Sequence, residues 1–248
     1  MSKCLIVTGG GRGIGAEVSR KAAKQGYSVC INFHRDQTSA QKLVCELEED
    51  GANAMAYQAD VSQEKEVAAL FQTVEKHLGT PEALVNNAGI LDLQNRVDGM
   101  NAERIQRIFA VNVTGSFLCA REAVKRMSTK YGGKGGSIVN LSSGAAKYGS
   151  PGEYVDYAAS KAAIDTLTIG LAREVAEEGI RVNAVRPGFI DTEIHQSGGE
   201  PDRMERVRPL VPMKRVGQAE EVADAIMWLL SDKASYTTGT ILDVSGGR

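Results

Sequence analysis

"CLIVTGGGRGIGAEVSRKAA", residues 4 to 23, decides the fold. A short apolar run ends in glycines, and an amphipathic stretch with helical spacing follows, so the segment predicts strand, glycine turn, helix. Gly13 and Gly15 open that helix. Its first N–H groups and the positive end of its dipole then face the loop, which makes a seat for a pyrophosphate that a side chain would obstruct. A P-loop would carry Lys-Ser or Lys-Thr after the last glycine, but Ala16-Glu17 follow Gly15, so nucleoside triphosphate hydrolysis is disfavoured. Gly11-Arg12-Gly13-Ile14-Gly15-Ala16 satisfies the looser dinucleotide pattern that ends in Ala. The competing reading is a glycine turn that only lets a helix pack close to a strand.

Outward from this unit the pattern repeats. "SVCINF", "ANAMAYQ", "ALVNN", "SIVNLSS", "IRVNAV" and "TILDVSG" read as further strands, and helix-length stretches separate them, among them one continuous helix over about 102–127 and another from 154. Strand then helix, repeated, predicts one α/β domain over 1–248, a Rossmann-type doubly wound sheet of about seven parallel strands with helices on both faces. Ligands of such sheets bind beyond the carboxyl ends of the strands, where strand order reverses. One long irregular segment, about 188–217, follows the sixth strand and reads as a substrate loop.

The chain has 248 residues and a net charge of −2, with 29 Lys and Arg scattered among 31 Asp and Glu. This disfavours a nucleic-acid or membrane surface and favours a small soluble partner. Cys4, Cys30, Cys45 and Cys119 lie far apart, as do His34, His77 and His195. Metal-ligand spacing is absent, and the cysteines read as reduced apolar fillers in a cytoplasmic protein. "MSKCLIVTGG" lacks the features of a signal peptide.

The second strand runs into "INFHRD". An acid at its end would hold the ribose 2′-OH of NAD, whereas a base would accept the 2′-phosphate of NADP. Phe33 stands there, followed by His34 and Arg35, with Arg12 in reach from the glycine loop, so NADP is expected. Asp36 is the rival, although it can equally cap the next helix.

"YVDYAASK", residues 154–161, holds the chemistry. Residues four apart share a helix face, so Tyr157 and Lys161 can meet. A phenol titrates near 10 and exchanges its proton poorly at neutral pH unless its anion is stabilised, which a neighbouring ammonium does. Tyr and Lys at this spacing also occur as ordinary packing pairs. Ser142 and Ser143 end a strand, where either can reach a carbonyl or simply make a turn. Asn112, in "FAVNVTG", breaks local helix preference, which marks either a functional position or a solvent-facing asparagine.

Together these residues resemble the short-chain dehydrogenase/reductases over nearly the whole chain. "TGGGRGIG" is similar to the family's Thr-Gly-x-x-x-Gly-x-Gly loop, "NNAG" at 86–89 to its sheet-stabilising motif, "YAASK" to its Tyr-x-x-x-Lys signature and "RPGFIDT" to its Pro-Gly stretch near nicotinamide. The resemblance implies a catalytic tetrad of Asn112, Ser143, Tyr157 and Lys161. Ser143 and Tyr157 lie 14 positions apart, one more than in many relatives, which suggests a one-residue insertion in "GAAKYGSPGEYVD" and keeps Ser142 as the alternative. Tyr154 then becomes a cleft wall. The cofactor-binding set so implied is Gly9, Gly11, Arg12, Gly13, Ile14, Gly15, Asn32, His34, Arg35, Asp60, Val61, Asn87, Ala88, Gly89, Tyr157, Lys161, Pro187, Gly188, Ile190 and Thr192.

The resemblance implies hydride transfer between NADP(H) and a small carbonyl or alcohol, with Lys161 lowering the Tyr157 pKa and Asn112 positioning a water. The alternatives are an epimerase or dehydratase that uses bound cofactor transiently, and a dinucleotide-binding sensor or scaffold without catalysis. Glu177-Glu178, where carrier-protein reductases commonly place an arginine, is read as disfavouring an acidic carrier protein. The helices over 101–127 and 154–178, with "ILDVSGG", resemble subunit contacts of a homotetramer or homodimer.

Overall fold

The computed structural model describes residues 2–192, 200 and 203–248. Its main sheet has the order β3-β2-β1-β4-β5-β6-β9, all parallel. The strands are β1 (Cys4–Val7), β2 (Ser28–Phe33), β3 (Ala54–Gln58), β4 (Pro81–Asn86), β5 (Gly136–Leu141), β6 (Ile180–Pro187) and β9 (Ile241–Val244). Each falls on a stretch expected from sequence. The connections wind outward on both sides of the β1–β4 pair, which is where ligands of open α/β sheets sit.

The helices are α1 (Gly13–Lys24), α2 (Gln37–Glu49), α3 (Glu64–Leu78), α4 (Ala102–Phe109), α5 (Gly115–Met127), α6 (Ala145–Tyr148), α7 (Val155–Val175), α8 (Arg203–Val207) and α9 (Ala219–Leu230). Successive strand residues point to opposite faces, so β1 splits between two cores. Leu5 and Val7 join Val18 of α1, Leu43 of α2 and Ile226 of α9. Cys4 and Ile6 join Phe71 of α3, Cys119 of α5 and Ala172 of α7. Both faces are therefore dry, and every residue of β1 and β2 is buried. Cys4, Cys30 and Cys119 are the expected fillers, and burial pushes the Cys4 and Cys119 thiols up to about 12. Cys45 is exposed on α2 and fills no core.

Two expectations change. The helix over about 102–127 is interrupted by a π-turn at Ala110–Thr114, where the wider turn accommodates a buried Asn112. The 188–217 segment is partly ordered: β7 (Ile190–Asp191) pairs with β8 (Gly217–Gln218), and α8 lies between them. Residues 193–199 and 201–202 of that loop fall outside the described residues. Among the described residues no helix is long and apolar enough to cross a membrane.

Candidate active site

Four loops meet at the carboxyl edge of the sheet, after β1, β4, β5 and β6. The first is built by close approach. A Cβ on Gly15 would lie 2.6 Å from Asn87 Nδ2 and 2.7 Å from the Gly9 carbonyl oxygen, and Gly9 and Gly13 hold φ of 60° and 51°, which L side chains rarely adopt. Arg12, the N-cap of α1, makes no side-chain cap bond, so the donors of the first turn remain directed at the loop. Thr192 sits 3.5 Å from where a Gly13 side chain would start, and so roofs the cradle. Glycines that a Cβ would crowd, uncapped amides and a threonine roof fit the pyrophosphate of a dinucleotide.

The β4 loop is fastened to the glycine loop through Thr8. Its Oγ1 accepts from the N–H groups of both Asn87 and Ala88 at 3.0 Å, while Asn87 Nδ2 donates to the carbonyls of Thr8 and Gly9 at 2.9 Å. Asn32 is similarly buried. Its Nδ2 donates to the Ala59 carbonyl at 3.0 Å and its Oδ1 accepts from Gly9 N–H at 3.4 Å, so it braces the loop between β1 and β3. A Cβ on Gly11 would meet Ala40 of α2 at 3.3 Å, which makes that glycine a packing position. Asp36 is the N-cap of α2 and accepts from Ser39 N–H at 3.0 Å, the capping role weighed against ribose binding. His34 and Arg35 are exposed at the same edge, as is Arg12. His34 Nε2 lies 3.8 Å from Asp60 Oδ2, and Asp60 Oδ1 accepts from Ser62 N–H. Val61 packs under Gly115. On the other side Pro187 accepts from Gly144 N–H at 2.9 Å, Gly188 closes on Ser245, and Ile190 is buried in β7.

Tyr157 and Lys161 lie on the first turns of α7. The Lys161 ammonium is 5.7 Å from the Tyr157 ring centroid and donates to the Leu141 carbonyl at 2.6 Å. Asn112 Oδ1 accepts from Ile90 N–H at 2.8 Å, and its Nδ2 donates to the Ile90 carbonyl at 2.9 Å and to Ser160 Oγ at 3.0 Å. A side chain on Gly89 would meet Lys161 Nζ at 3.4 Å and Asn112 Oδ1 at 3.5 Å. Asn112 is fully buried, which excludes the solvent-facing reading. The serine alternatives separate cleanly. Ser142 is buried and donates to the Lys161 carbonyl at 3.2 Å. Ser143 accepts from Ala145 N–H at 3.1 Å, which leaves its own proton for the Tyr157 phenol, to which it hydrogen-bonds.

Burial pushes the Tyr157 phenol up, against the downward pull of Ser143 and of the Arg203 charge. The net direction is opposite to the expected lowering, because burial outweighs the groups that favour the phenolate. Burial also presses Lys161 itself down to about 8, with Asp165 opposing. Arg203 was invisible to sequence reasoning, since it comes from α8 across the cleft. It is held by Glu153 at 2.7 Å and Glu200 at 3.1 Å, over the rings of Tyr154 at 5.0 Å and Phe189 at 5.7 Å. Tyr154 is accordingly buried as a cleft wall. Arg104 of α4 makes a buried pair with Asp156 at 2.7 Å and ties the π-turn segment to the start of α7. Among the described residues no cluster of His, Cys, Asp or Glu could hold a metal ion.

A glycine cradle joined to a Tyr-Lys pair at a switch point defines a dinucleotide-dependent oxidoreductase, and comparisons agree. Residues 9–248 match the family profile described as Enoyl-(Acyl carrier protein) reductase. The chain is 57% identical over 243 residues to a protein named Uncharacterized oxidoreductase YgfF of Escherichia coli (strain K12), covering 98% of each chain. It is 41% identical to 3beta-hydroxysteroid dehydrogenase 1 of Eggerthella lenta, covering 99% of this chain and 93% of that one. To Glucose 1-dehydrogenase 2 of Bacillus subtilis (strain 168) it is 37% identical, covering 99% and 94%. The chain belongs to the short-chain dehydrogenase/reductase family. It is an oxidoreductase that transfers hydride between a nicotinamide dinucleotide and a carbonyl or alcohol substrate.

The fold places Glu177 and Glu178 away from the cleft, so they do not bear on what docks there. Both follow the carboxyl end of α7, about 20 residues from Tyr157, and at about 1.5 Å per residue this is roughly 30 Å away. They lead into Ile180, the first residue of β6, at the sheet edge opposite the cleft.

Proposed function

We propose that the protein is an NADP(H)-dependent reductase of small carbonyl compounds, or the corresponding alcohol dehydrogenase, in the cytoplasm. The convergence of Ser143, Tyr157 and Lys161 beside the glycine cradle carries this reading. The dinucleotide, when bound, supplies or accepts the hydride. Tyr157, kept protonated by burial at neutral pH, gives its proton to the oxygen of the reacting carbonyl. Ser143 holds that oxygen through its hydroxyl, and Lys161 binds the nicotinamide ribose. Asn112, expected to position a water, has its side chain committed to Ile90 and Ser160, so its role is to fix the loop at Ile90 against α7. Gly9, Gly13, Ile14 and Gly15 would seat the pyrophosphate, Asp60, Val61, Asn87, Ala88 and Gly89 the adenosine side, and Pro187, Gly188, Ile190 and Thr192 the nicotinamide.

NADP is supported by the commitment of Asp36 to capping α2, which leaves Arg12, His34 and Arg35 as the exposed groups for a 2′-phosphate. Association into a homodimer or homotetramer is supported by exposed Ile105 and Phe117 on α4 and α5, beside the outward small residues Ala159, Ala162 and Gly170 of α7.

The test follows NADPH absorbance over a panel of ketones, aldehydes and sugar-like compounds. Tyr157→Phe should reduce kcat by about 10²–10⁴, the contribution of general acid catalysis, with cofactor affinity nearly unchanged. Retained turnover in that variant would refute the assignment, and turnover without net NADPH consumption would indicate an epimerase or dehydratase. Arg12→Ala and Arg35→Ala should each lower the NADP-to-NAD ratio of kcat/KM about tenfold, as expected for a lost charge-assisted contact. An unchanged ratio in both would sink the NADP preference.

A further inference from the structure

Beside Phe189, residues 243–248 and the β7–β8 bridge line a half-open pocket of about 570 Å³. This volume suits a small organic molecule. Its apolar surface comes from Phe189, Val211 and Met213, and its charged groups are Lys147, Arg215, Glu221, Asp243 and Arg248.

All but one of those charges are satisfied within the protein. Lys147 pairs with Asp243 at 3.0 Å, and Arg186 approaches the same carboxylate at 3.7 Å. Arg215 pairs with Glu221 at 2.6 Å. Arg248 makes no ion pair with any described residue, and its Nη1 is buried without a hydrogen-bond partner. Such an atom has lost its hydration without replacement.

The guanidinium is nonetheless held in place. It lies over the rings of Phe189 at 4.8 Å and Tyr148 at 5.2 Å. The turn that brings it there depends on Gly246 and Gly247, with φ of 65° and 94°. A Cβ on Gly246 would lie 2.8 Å from Val211, and one on Gly247 would lie 3.1 Å from Pro212. Nη1 is sealed off, but no other N–H of this guanidinium bonds a described residue and the side chain lines the pocket; a stacked, pre-oriented guanidinium with such free N–H groups beside an apolar wall is a receptor for a planar or tetrahedral anion.

We propose that this cavity binds a small anion with an apolar body, a carboxylate or phosphate ester, with Arg248 as its receptor. Phe189 connects it to the catalytic cleft, since Arg203 lies 5.7 Å from the centre of the same ring. The ligand is either the acidic far end of the substrate, a reading that rests on the reductase function proposed above, or a separate effector.

Calorimetry with benzoate and phenyl phosphate on the intact protein, without substrate, tests the site. At least one should bind, and Arg248→Met should weaken it tenfold or more, with Arg248→Lys falling between because it keeps charge without the stacked fork. Kinetics then separate the sources. If the cavity holds the end of the substrate, the ratio of kcat/KM for 4-carboxybenzaldehyde to that for benzaldehyde falls about tenfold in Arg248→Met, and benzoate competes with the aldehyde. If it holds an effector, benzoate binds without competing. Absence of binding by both probes, or binding that Arg248→Met leaves intact, would overturn the proposal. Absence of any carbonyl turnover with Arg248-dependent binding preserved would count against the reductase reading alone.

Discussion

Lys161→Met should make the protein more stable while removing its activity. The ammonium is buried, and its surroundings press it from the free-lysine value of 10.5 to about 8. At about 1.4 kcal/mol for each tenfold change in proton affinity, the native state holds this cation about 3 kcal/mol less favourably than water does. Methionine has a similar length and no charge. Against this gain stands the lost bond to the Leu141 carbonyl, 2.6 Å in the structure, whose removal costs about 1–2 kcal/mol. The net expectation is about 1–2 kcal/mol of added stability at pH 7, or roughly 2–8 °C in Tm for a domain of this size.

The pH dependence has a definite sign. Because the folded pKa lies below the unfolded one, the penalty is fully present below about pH 8 and disappears as pH rises toward 10.5. The Tm gap between variant and parent should therefore be widest at pH 6–7 and close across that interval. Differential scanning calorimetry at several pH values measures the gap, alongside NADPH-coupled turnover, which should fall at least a hundredfold. A variant that melts below its parent at pH 7, or a gap that does not narrow above pH 8, would refute the claim that Lys161 is retained for chemistry at the expense of stability.

Two further outcomes follow from packing. Gly15→Ala would place a Cβ 2.6 Å from Asn87 Nδ2 and 2.7 Å from the Gly9 carbonyl, so dinucleotide affinity by fluorescence titration should drop tenfold or more, with about 1–3 kcal/mol of stability lost to overpacking. Arg104→Met strands the Asp156 carboxylate, whose side chain is 2% exposed. Urea unfolding should show a loss of about 3–5 kcal/mol, most of it recovered in Arg104→Met combined with Asp156→Leu.

Local chemistry was sufficient for the architecture and for much of the site. Alternating apolar strands and amphipathic helices require a parallel sheet covered on both faces, since backbone pairing and apolar burial leave few other arrangements. The glycines around residues 9–15 and the Tyr157–Lys161 spacing are also local, because a turn or one helical turn determines them. Tertiary structure decided what depends on groups distant in sequence. It assigned Ser142 to the core and Ser143 to the cleft, since a one-residue difference at a strand end reverses the direction of a side chain. It opened a π-turn at Asn112 to suit Ile90 and Ser160, bonds that no helical propensity anticipates. It brought Arg203 and Arg248 to the same ring, Phe189, and moved Glu177-Glu178 to the far edge of the sheet. It also reversed the expected direction of the Tyr157 shift, because desolvation depends on everything packed around a group, whereas sequence spacing reveals only its neighbours on one helix.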